Sequence, residues 1–334
     1  MQQWLRWSQP NRSRPRRRRS GRWTERRRTK RLRGLPHVSS SSYELAGICI
    51  YYYDTGCWPM GRYIDEQFPA PEPSKLRRCD VERTSRSVVI TGASGIAAAT
   101  ARQLADAGDA VFVISRNPGS CAALVDSLGS EKAGWYAADL QDEEATVAAF
   151  NAAAKKLGRI DAVVAVAGGS ARRFGDGWLH EMTLDAWNAS INLNLTTIFL
   201  TAREAVRHMK GTGGSLVLTS SVLATSPQPD NFTTHGYAAA KASITGWTVP
   251  LAAAYAKDKV RVNCVAPGLV RTPMAARAAE DPEIVSFAER KQPVAPGMLT
   301  AEQIAEALCW FVHSDGVTGQ VLAVDGGWAV TSTS

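Results

Sequence analysis

The chain lacks the features that mark several protein classes. No apolar run approaches the ~20 residues of a bilayer-spanning helix, and the longest, Leu45 to Tyr53, is followed at once by Asp54. The six cysteines form no Cys-x-x-Cys pair, and no histidine stands at a metal-ligand spacing. We therefore expect no membrane span, no disulfide framework and no metal site, and we expect reduced thiols in a cytoplasmic protein.

Acidic residues are nearly absent from the start of the chain. Residues 1–33 hold 13 Arg and one Lys against a single acid, Glu25, so this arm carries a net charge of +13. The other 301 residues have 25 basic and 30 acidic side chains, a net charge of −5. The formal charge of +8 over 334 residues therefore describes the arm and does not predict what the remainder binds.

Residues 1–85 also lack a sustained hydrophobic period. Arginines, four serines at 39–42 and a Pro-rich stretch at 69–73 follow one another, with a period of neither 2 nor 3.6. We expect an Arg-rich, mostly disordered N-terminal extension and linker. Its charge is open to three interpretations: a nucleic-acid-binding arm, which we do not expect, an organellar targeting peptide, and sequence translated upstream of the true start, which we favour.

From residue 86 onward, short apolar runs alternate with amphipathic helical stretches. The runs predict seven strands, near 88–90, 109–114, 135–137, 162–166, 215–218, 261–265 and 320–324. The helical stretches predict helices at 96–107, 122–128, 142–157, 183–209 and 235–256. Strands that are apolar on both faces indicate a parallel sheet covered on both sides. Residues 86–330 are therefore predicted to form one α/β domain, a Rossmann-type doubly wound parallel sheet of about seven strands with helices on both faces.

A turn of small residues, Thr91 to Ala97, joins the first predicted strand to the first helix. Such a turn lets backbone N–H groups and the helix N-terminus approach a pyrophosphate, which favours a dinucleotide site. The second strand ends in Ser115-Arg116 rather than in an acid. A guanidinium suits a 2′-phosphate, whereas a carboxylate would accept from a ribose 2′-hydroxyl, so NADP(H) is favoured over NAD(H). Asp139, at the end of the third strand, either accepts from the adenine amino group or caps a local turn.

Tyr237 and Lys241 stand four residues apart on a predicted helix and therefore share one face. A nearby ammonium favours phenolate, so we expect Lys241 to lower the pKa of Tyr237, as an acid/base near neutral pH requires. Ser220-Ser221 follows a buried strand, where a hydroxyl can hydrogen-bond a substrate carbonyl or serve an ordinary turn.

The order and spacing of these motifs resemble the classical short-chain dehydrogenase/reductase family, of the 3-oxoacyl-carrier-protein-reductase type, over about residues 86–328. The resemblance implies that Asn194 holds a proton-relay water and that Ser221 orients the substrate carbonyl. It also implies that Tyr237 is the acid/base and that Lys241 binds the nicotinamide ribose and tunes the tyrosine.

The same resemblance implies a cofactor site, later landmarks and an assembly. Arg261-Val262-Asn263 and Val324 to Gly327 match landmarks of the family, and a homotetramer or homodimer is expected. The implied cofactor-binding residues are Thr91, Gly92, Ser94, Gly95, Ile96, Ser115, Arg116, Asp139, Leu140, Ala167, Gly168, Tyr237, Lys241, Pro267, Gly268, Val270 and Thr272.

Four features depart from the family pattern. Two residues rather than three separate Gly92 from Gly95, which predicts an altered pyrophosphate turn. The stretch 165–168 reads Ala-Val-Ala-Gly instead of Asn-Asn-Ala-Gly and lacks the amides that steady that turn. Pro250 lies inside a predicted helix and predicts a kink. Residues 313–319 make a short approach to the last strand.

The expected activity is hydride transfer between NADP(H) and a carbonyl or secondary alcohol, with Tyr237 moving the proton. The segment 272–298 is the expected substrate lid and has a mostly apolar composition. A 3-oxoacyl thioester, a steroid-like ring and a small ketone stay open as substrates, with a sugar the least favoured. The alternative is a sensor or scaffold that binds the cofactor without catalysis.

Overall fold

The computed structural model describes residues 84–129, 131–295 and 297–332. The predicted extension at 1–85 lies outside the described residues apart from 84 and 85, and it stays a prediction. No helix in the described ranges is long and apolar enough to cross a membrane. The same ranges contain no cluster of three or more His, Cys, Asp or Glu side chains that could hold a metal ion.

All seven predicted strands are present. They are β1 (Ser87–Thr91), β2 (Ala110–Ser115), β3 (Gly134–Ala137), β4 (Ala162–Ala165), β5 (Gly214–Thr219), β6 (Val260–Pro267) and β7 (Val321–Val324). They form one sheet in the order β3-β2-β1-β4-β5-β6-β7, and every neighbouring pair is parallel. The chain changes its winding direction between β1 and β4, and ligands of such sheets bind at the carboxyl ends of the strands beside that point.

Helices cover both faces of the sheet. They are α1 (Ile96–Asp106), α2 (Pro118–Leu128), α3 (Glu143–Leu157), α4 (Leu184–Ile191), α5 (Thr197–Met209), α6 (Pro229–Phe232), α7 (His235–Tyr255), α8 (Ala276–Glu280), α9 (Pro282–Lys291) and α10 (Ala301–His313). One apolar cluster joins the sheet to α3, α5 and α7, and a second joins it to α1, α2 and α10. The predicted doubly wound α/β architecture is confirmed.

Alternating side chains of β1 explain why the middle of this strand is wholly apolar. Val88 and Ile90 belong to the cluster beneath α1 and α10, whereas Val89 belongs to the cluster beneath α3, α5 and α7. All three side chains are fully buried. A strand covered on both faces has no position that favours a polar residue.

The chain is helical over the predicted stretch 183–209, but the helix is not regular throughout. A π-helical turn, Asn192–Thr196, separates α4 from α5. There the Thr197 N–H donates to the Asn192 carbonyl five residues earlier, and the Thr197 hydroxyl donates to the same oxygen over 3.1 Å. Such turns occur mostly inside α-helices at functional sites. By contrast, α7 continues across Pro250 to Tyr255.

Arg261 and Asn263 tie β6 to the chain around β7. The Arg261 guanidinium donates to the last carbonyls of α10, those of Phe311 and Val312, over 2.9 Å each. The Asn263 amide donates to the Val317 carbonyl over 2.9 Å and accepts from the Gln320 N–H over 3.0 Å. These bonds hold the short approach to β7, so this pair of residues serves the fold.

Replacing Asn263 by Ala should lower the free energy of unfolding by about 1–3 kcal/mol, because two partly buried hydrogen bonds are lost and the Gln320 N–H loses its acceptor. Denaturant melting of the full chain measures this. Gln320→Ala is the matched control, since its exposed side chain bonds only the nearby Thr318 carbonyl; it should cost less than about 0.5 kcal/mol. Equal losses in the two variants would contradict this role for Asn263.

Candidate active site

A cavity of about 290 Å³ lies at the carboxyl ends of the strands. The loops after β1, β4, β5 and β6 surround it, together with the start of α7. The predicted site residues that line it are Gly92, Ser94, Gly95, Ile96, Ala167, Gly168, Ser221, Tyr237, Lys241, Pro267, Gly268, Val270 and Thr272. Those that do not line it are Thr91, Ser115, Arg116, Asp139, Leu140 and Asn194.

The turn after β1 is built for close approach of a ligand to the backbone. Gly92 and Gly95 have φ values of +105° and +53°, in the region that favours glycine. A Cβ on Gly95 would stand 2.9 Å from the Thr272 methyl carbon, and one on Gly92 would stand 3.0 Å from the Ala97 Cβ. Helix α1 starts at once after Gly95 and has no side-chain cap, and its first residues, Ile96 and Ala97, line the cavity. The short turn therefore fits a pyrophosphate.

The turn after β4 is held by two distant side chains. The Thr91 hydroxyl accepts from the N–H groups of Val166 and Ala167, over 3.1 Å each. The fully buried Asn194 pairs with the Gly169 peptide, accepting from its N–H and donating to its carbonyl, over 3.0 Å each. Asn194 also donates to the Ser190 carbonyl over 3.1 Å. Thr91 and Asn194 thus supply the support that the missing asparagine amides of the family pattern would give.

Tyr237 and Lys241 meet beside the end of β5, on one face of α7. The Lys241 Nζ atom lies 5.6 Å from the centre of the Tyr237 ring and donates to the Thr219 carbonyl over 2.9 Å. The Ser220 hydroxyl donates to the Lys241 carbonyl over 2.8 Å, which ties the helix to the strand end. The neighbouring Ser221 hydroxyl hydrogen-bonds the Tyr237 phenol.

Burial controls the protonation of both groups. It raises the pKa of the Tyr237 phenol, and the hydrogen bond with Ser221 opposes this only in part. It lowers the pKa of the Lys241 ammonium to about 8. The expected lowering of the Tyr237 pKa by Lys241 is therefore wrong for the protein alone, because desolvation of the phenolate outweighs it. Near neutral pH the phenol holds its proton and most of the ammonium is charged.

Asp176 is a site residue that the sequence did not point to. Its buried carboxylate accepts from the N–H groups of Gly236 and Tyr237, over 2.9 Å each, and from the Ser190 hydroxyl over 3.0 Å. The carboxylate therefore caps the start of α7 and fixes the backbone of Tyr237. Asp176 stands 60 residues before Gly236, so no local capping pattern marks it.

Two predicted cofactor residues lie beyond the cavity, at the ends of β2 and β3. Arg116 is exposed, and no carboxylate among the described residues forms an ion pair with it. Asp139 accepts from the backbone N–H of Gln141 over 3.1 Å and from its side-chain amide over 3.2 Å, which makes a local turn. The adenine contact of Asp139 stays a prediction.

Comparisons with known proteins point to oxidoreductases. A family model described as enoyl-(acyl carrier protein) reductase matches residues 90–329. The chain is 37% identical over 250 residues to the cis-4-hydroxycyclohexanecarboxylate dehydrogenase of Sinomonas cyclohexanicum, covering 73% of this chain and 96% of that protein. A solved short-chain type dehydrogenase/reductase from Mycobacterium ulcerans is 30% identical, with a TM-score of 0.68 over 73% of this chain and 90% of the other. The actinorhodin polyketide ketoreductase, solved with NADPH, is 25% identical, with a TM-score of 0.66 over 74% and 98%.

Asp176→Asn should loosen the start of α7, because an amide cannot accept from all three donors that the carboxylate holds. We expect amide hydrogen exchange at residues 236–238 to speed up about tenfold or more, and the free energy of unfolding to fall by about 1–3 kcal/mol. Exchange followed by mass spectrometry, together with denaturant melting, measures both.

Asp142→Asn is the matched control for that change. Asp142 caps α3 by accepting from the Ala145 N–H over 2.8 Å, away from the cavity. It should leave exchange at residues 236–238 unchanged. Unchanged exchange there in Asp176→Asn as well would contradict the capping role of Asp176.

Proposed function

The chain belongs to the short-chain dehydrogenase/reductase family, and we propose that it transfers hydride between NADP(H) and a carbonyl or secondary-alcohol substrate. One observation carries the proposal: Ser221, Tyr237 and Lys241 line the same cavity as the glycine turn after β1. A hydroxyl, a partly buried phenol and a buried ammonium at one place suit proton transfer to a carbonyl oxygen. The nicotinamide cofactor supplies or accepts the hydride when it is bound.

In the direction of reduction, Tyr237 gives its proton to the carbonyl oxygen as the carbon receives hydride, so the product is the alcohol. The raised pKa of the partly desolvated phenol keeps that proton in place until the oxygen becomes basic. Ser221 donates a hydrogen bond to the same oxygen and orients it. In the direction of oxidation, Tyr237 as phenolate takes the hydroxyl proton, and the charge of Lys241 stabilises that phenolate.

Asn194 does not line the cavity and supports the site through backbone hydrogen bonds. All its described side-chain hydrogen bonds go to the backbone of Gly169 and Ser190, which sets the turn after β4 against the π-helical turn. We therefore assign it the positioning of that turn, while the relay water that the family resemblance implies stays a prediction.

Tyr237→Phe should reduce turnover by at least about a thousandfold while NADPH binding persists, because the ring packing remains and only the proton carrier is lost. Nicotinamide absorbance over a panel of ketones measures turnover, and fluorescence of bound NADPH measures binding. Tyr255→Phe, at the far end of the same helix, is the matched control and should retain activity. Full turnover in Tyr237→Phe would sink the mechanism. NADPH binding without turnover by the unaltered chain would instead favour the sensor or scaffold alternative.

Arg116 supports the choice of NADP(H) over NAD(H). It stands exposed just after β2, with no acid of the described chain paired to it. A guanidinium there attracts a 2′-phosphate, and the strand end offers no carboxylate to a ribose hydroxyl.

Arg116→Asp should raise the KM for NADPH about tenfold or more and lower the KM for NADH, since the carboxylate repels phosphate and accepts from the ribose. Steady-state kinetics with both cofactors measures the change. Arg102→Asp, on the exposed side of α1, is the charge-matched control. An unaltered NADPH/NADH ratio in Arg116→Asp would contradict NADP selection by this residue.

Exposed apolar side chains support a homodimer or homotetramer. Phe199 on α5 is 42% exposed and Val249 on α7 is 57% exposed, while Val321 and Leu322 on the edge strand β7 are each 39% exposed. Such patches suit self-complementary contacts between copies. Sedimentation of the full chain should give the mass of two or four chains, and a monomer at micromolar concentration would contradict the assembly.

A further inference from the structure

The cavity wall carries positive charge without any acid. Arg172, Lys241 and Arg277 line it, and none of the described residues lining it is Asp or Glu. The proposed mechanism uses Lys241 beside Tyr237. It leaves the two arginines without a role.

The two arginines reach the cavity from opposite parts of the chain. Arg172 opens a short 3-10 turn, Arg172–Phe174, beyond β4, and donates weakly to the Asn231 carbonyl over 3.4 Å. Arg277 lies on α8, within the segment expected to be the substrate lid. Neither forms an ion pair with a carboxylate of the described residues.

The charge of Arg277 affects the protonation of Arg172. Partial burial and the charge of Arg277 lower the pKa of Arg172, and Asp176 opposes this only in part. The Asp176 carboxylate is already occupied by three donors at the start of α7. Two like charges at one partly desolvated wall repel each other, and an anionic ligand group placed between them would remove that cost.

Arg172 and its neighbour Arg173 are both exposed, but they face different surroundings. Arg173 does not line the cavity, and its guanidinium lies 4.5 Å from the centre of the exposed Phe174 ring. Adjacent residues thus point to different surroundings, and only Arg172 faces the ligand space. The cavity wall also carries the apolar side chains of Leu223, Phe232 and Met274.

We propose that the substrate carries an anionic carboxylate or phosphate group, which Arg172 and Arg277 bind, at the end remote from the reacting carbon. Its apolar body packs between them and the Ser221–Tyr237 pair, which receives the carbonyl or alcohol. The inference rests on the proposed function for the position of the reacting oxygen. Guanidinium groups recognise both oxyanions through paired N–H donors.

Three ring ketones of similar size test this: a cyclohexanone with a carboxylate opposite the carbonyl, its neutral methyl ester, and the corresponding phosphate. Each is assayed for turnover with NADPH and for binding by calorimetry in the presence of NADP⁺, using the full chain. We expect the carboxylate or the phosphate to exceed the ester by about tenfold or more in kcat/KM and in affinity. Whichever anion binds more tightly identifies the group. Added salt should weaken that preference.

Arg172→Gln and Arg277→Gln should each reduce the ratio of anion to ester kcat/KM by about tenfold, because the uncharged ester has no group for the lost guanidinium to bind. Arg173→Gln is the matched control and should keep the preference. Turnover of all three ketones without a preference, or a preference that survives both cavity variants, overturns the inference and leaves the proposed function intact. An anion preference in calorimetry that depends on both arginines, without any turnover, supports the anion site and rejects the proposed function.

Discussion

A charged ammonium buried at the carboxyl end of a strand inside the sheet constrains much of this structure. Lys241 is 3% exposed and has the Thr219 carbonyl as its hydrogen-bond acceptor, so its charge is stabilised only if α7 passes close to the end of β5. The Ser220 hydroxyl holds the helix there through the Lys241 carbonyl. The lowered pKa, about 8, measures the desolvation that remains uncompensated. Stability is given up at this point for a cation beside the phenol, as is common at functional sites.

Support for the site comes from hydrogen bonds that join distant segments. Thr91 at the end of β1 and Asn194 in the π-helical turn both hold the turn after β4. This turn departs from the family pattern in sequence, yet its backbone groups remain bonded. A partly buried turn needs donors and acceptors, and it does not matter which part of the chain provides them.

Periodicity and local motifs predicted the seven strands, the sheet class and thirteen of the residues that line the cavity, because each depends on nearby sequence. The other features depend on residues that are far apart in sequence and come together only in the folded chain. Asp176 caps a helix that begins 59 residues later, Arg172 and Arg277 meet only in the folded cavity, and the π-helical turn interrupts an amphipathic stretch that reads as one helix. The sequence predicted a lowered pKa for Tyr237, whereas the folded protein raises it. The four-residue spacing shows that Lys241 is near, but it does not show how far water is excluded from the phenol.

The cap on α7 also affects how the chain folds. Gly236 leaves no room for a side chain, since a Cβ there would lie 2.8 Å from the Ser190 Cβ, so α4 and the Asp176 loop must dock directly against the helix start. An isolated α7 would have its first N–H groups uncapped. The tyrosine is therefore positioned only when two stretches far apart in sequence have both folded, and a local opening of either releases it. Catalytic competence in this chain is a property of one cooperative folding unit that spans both stretches.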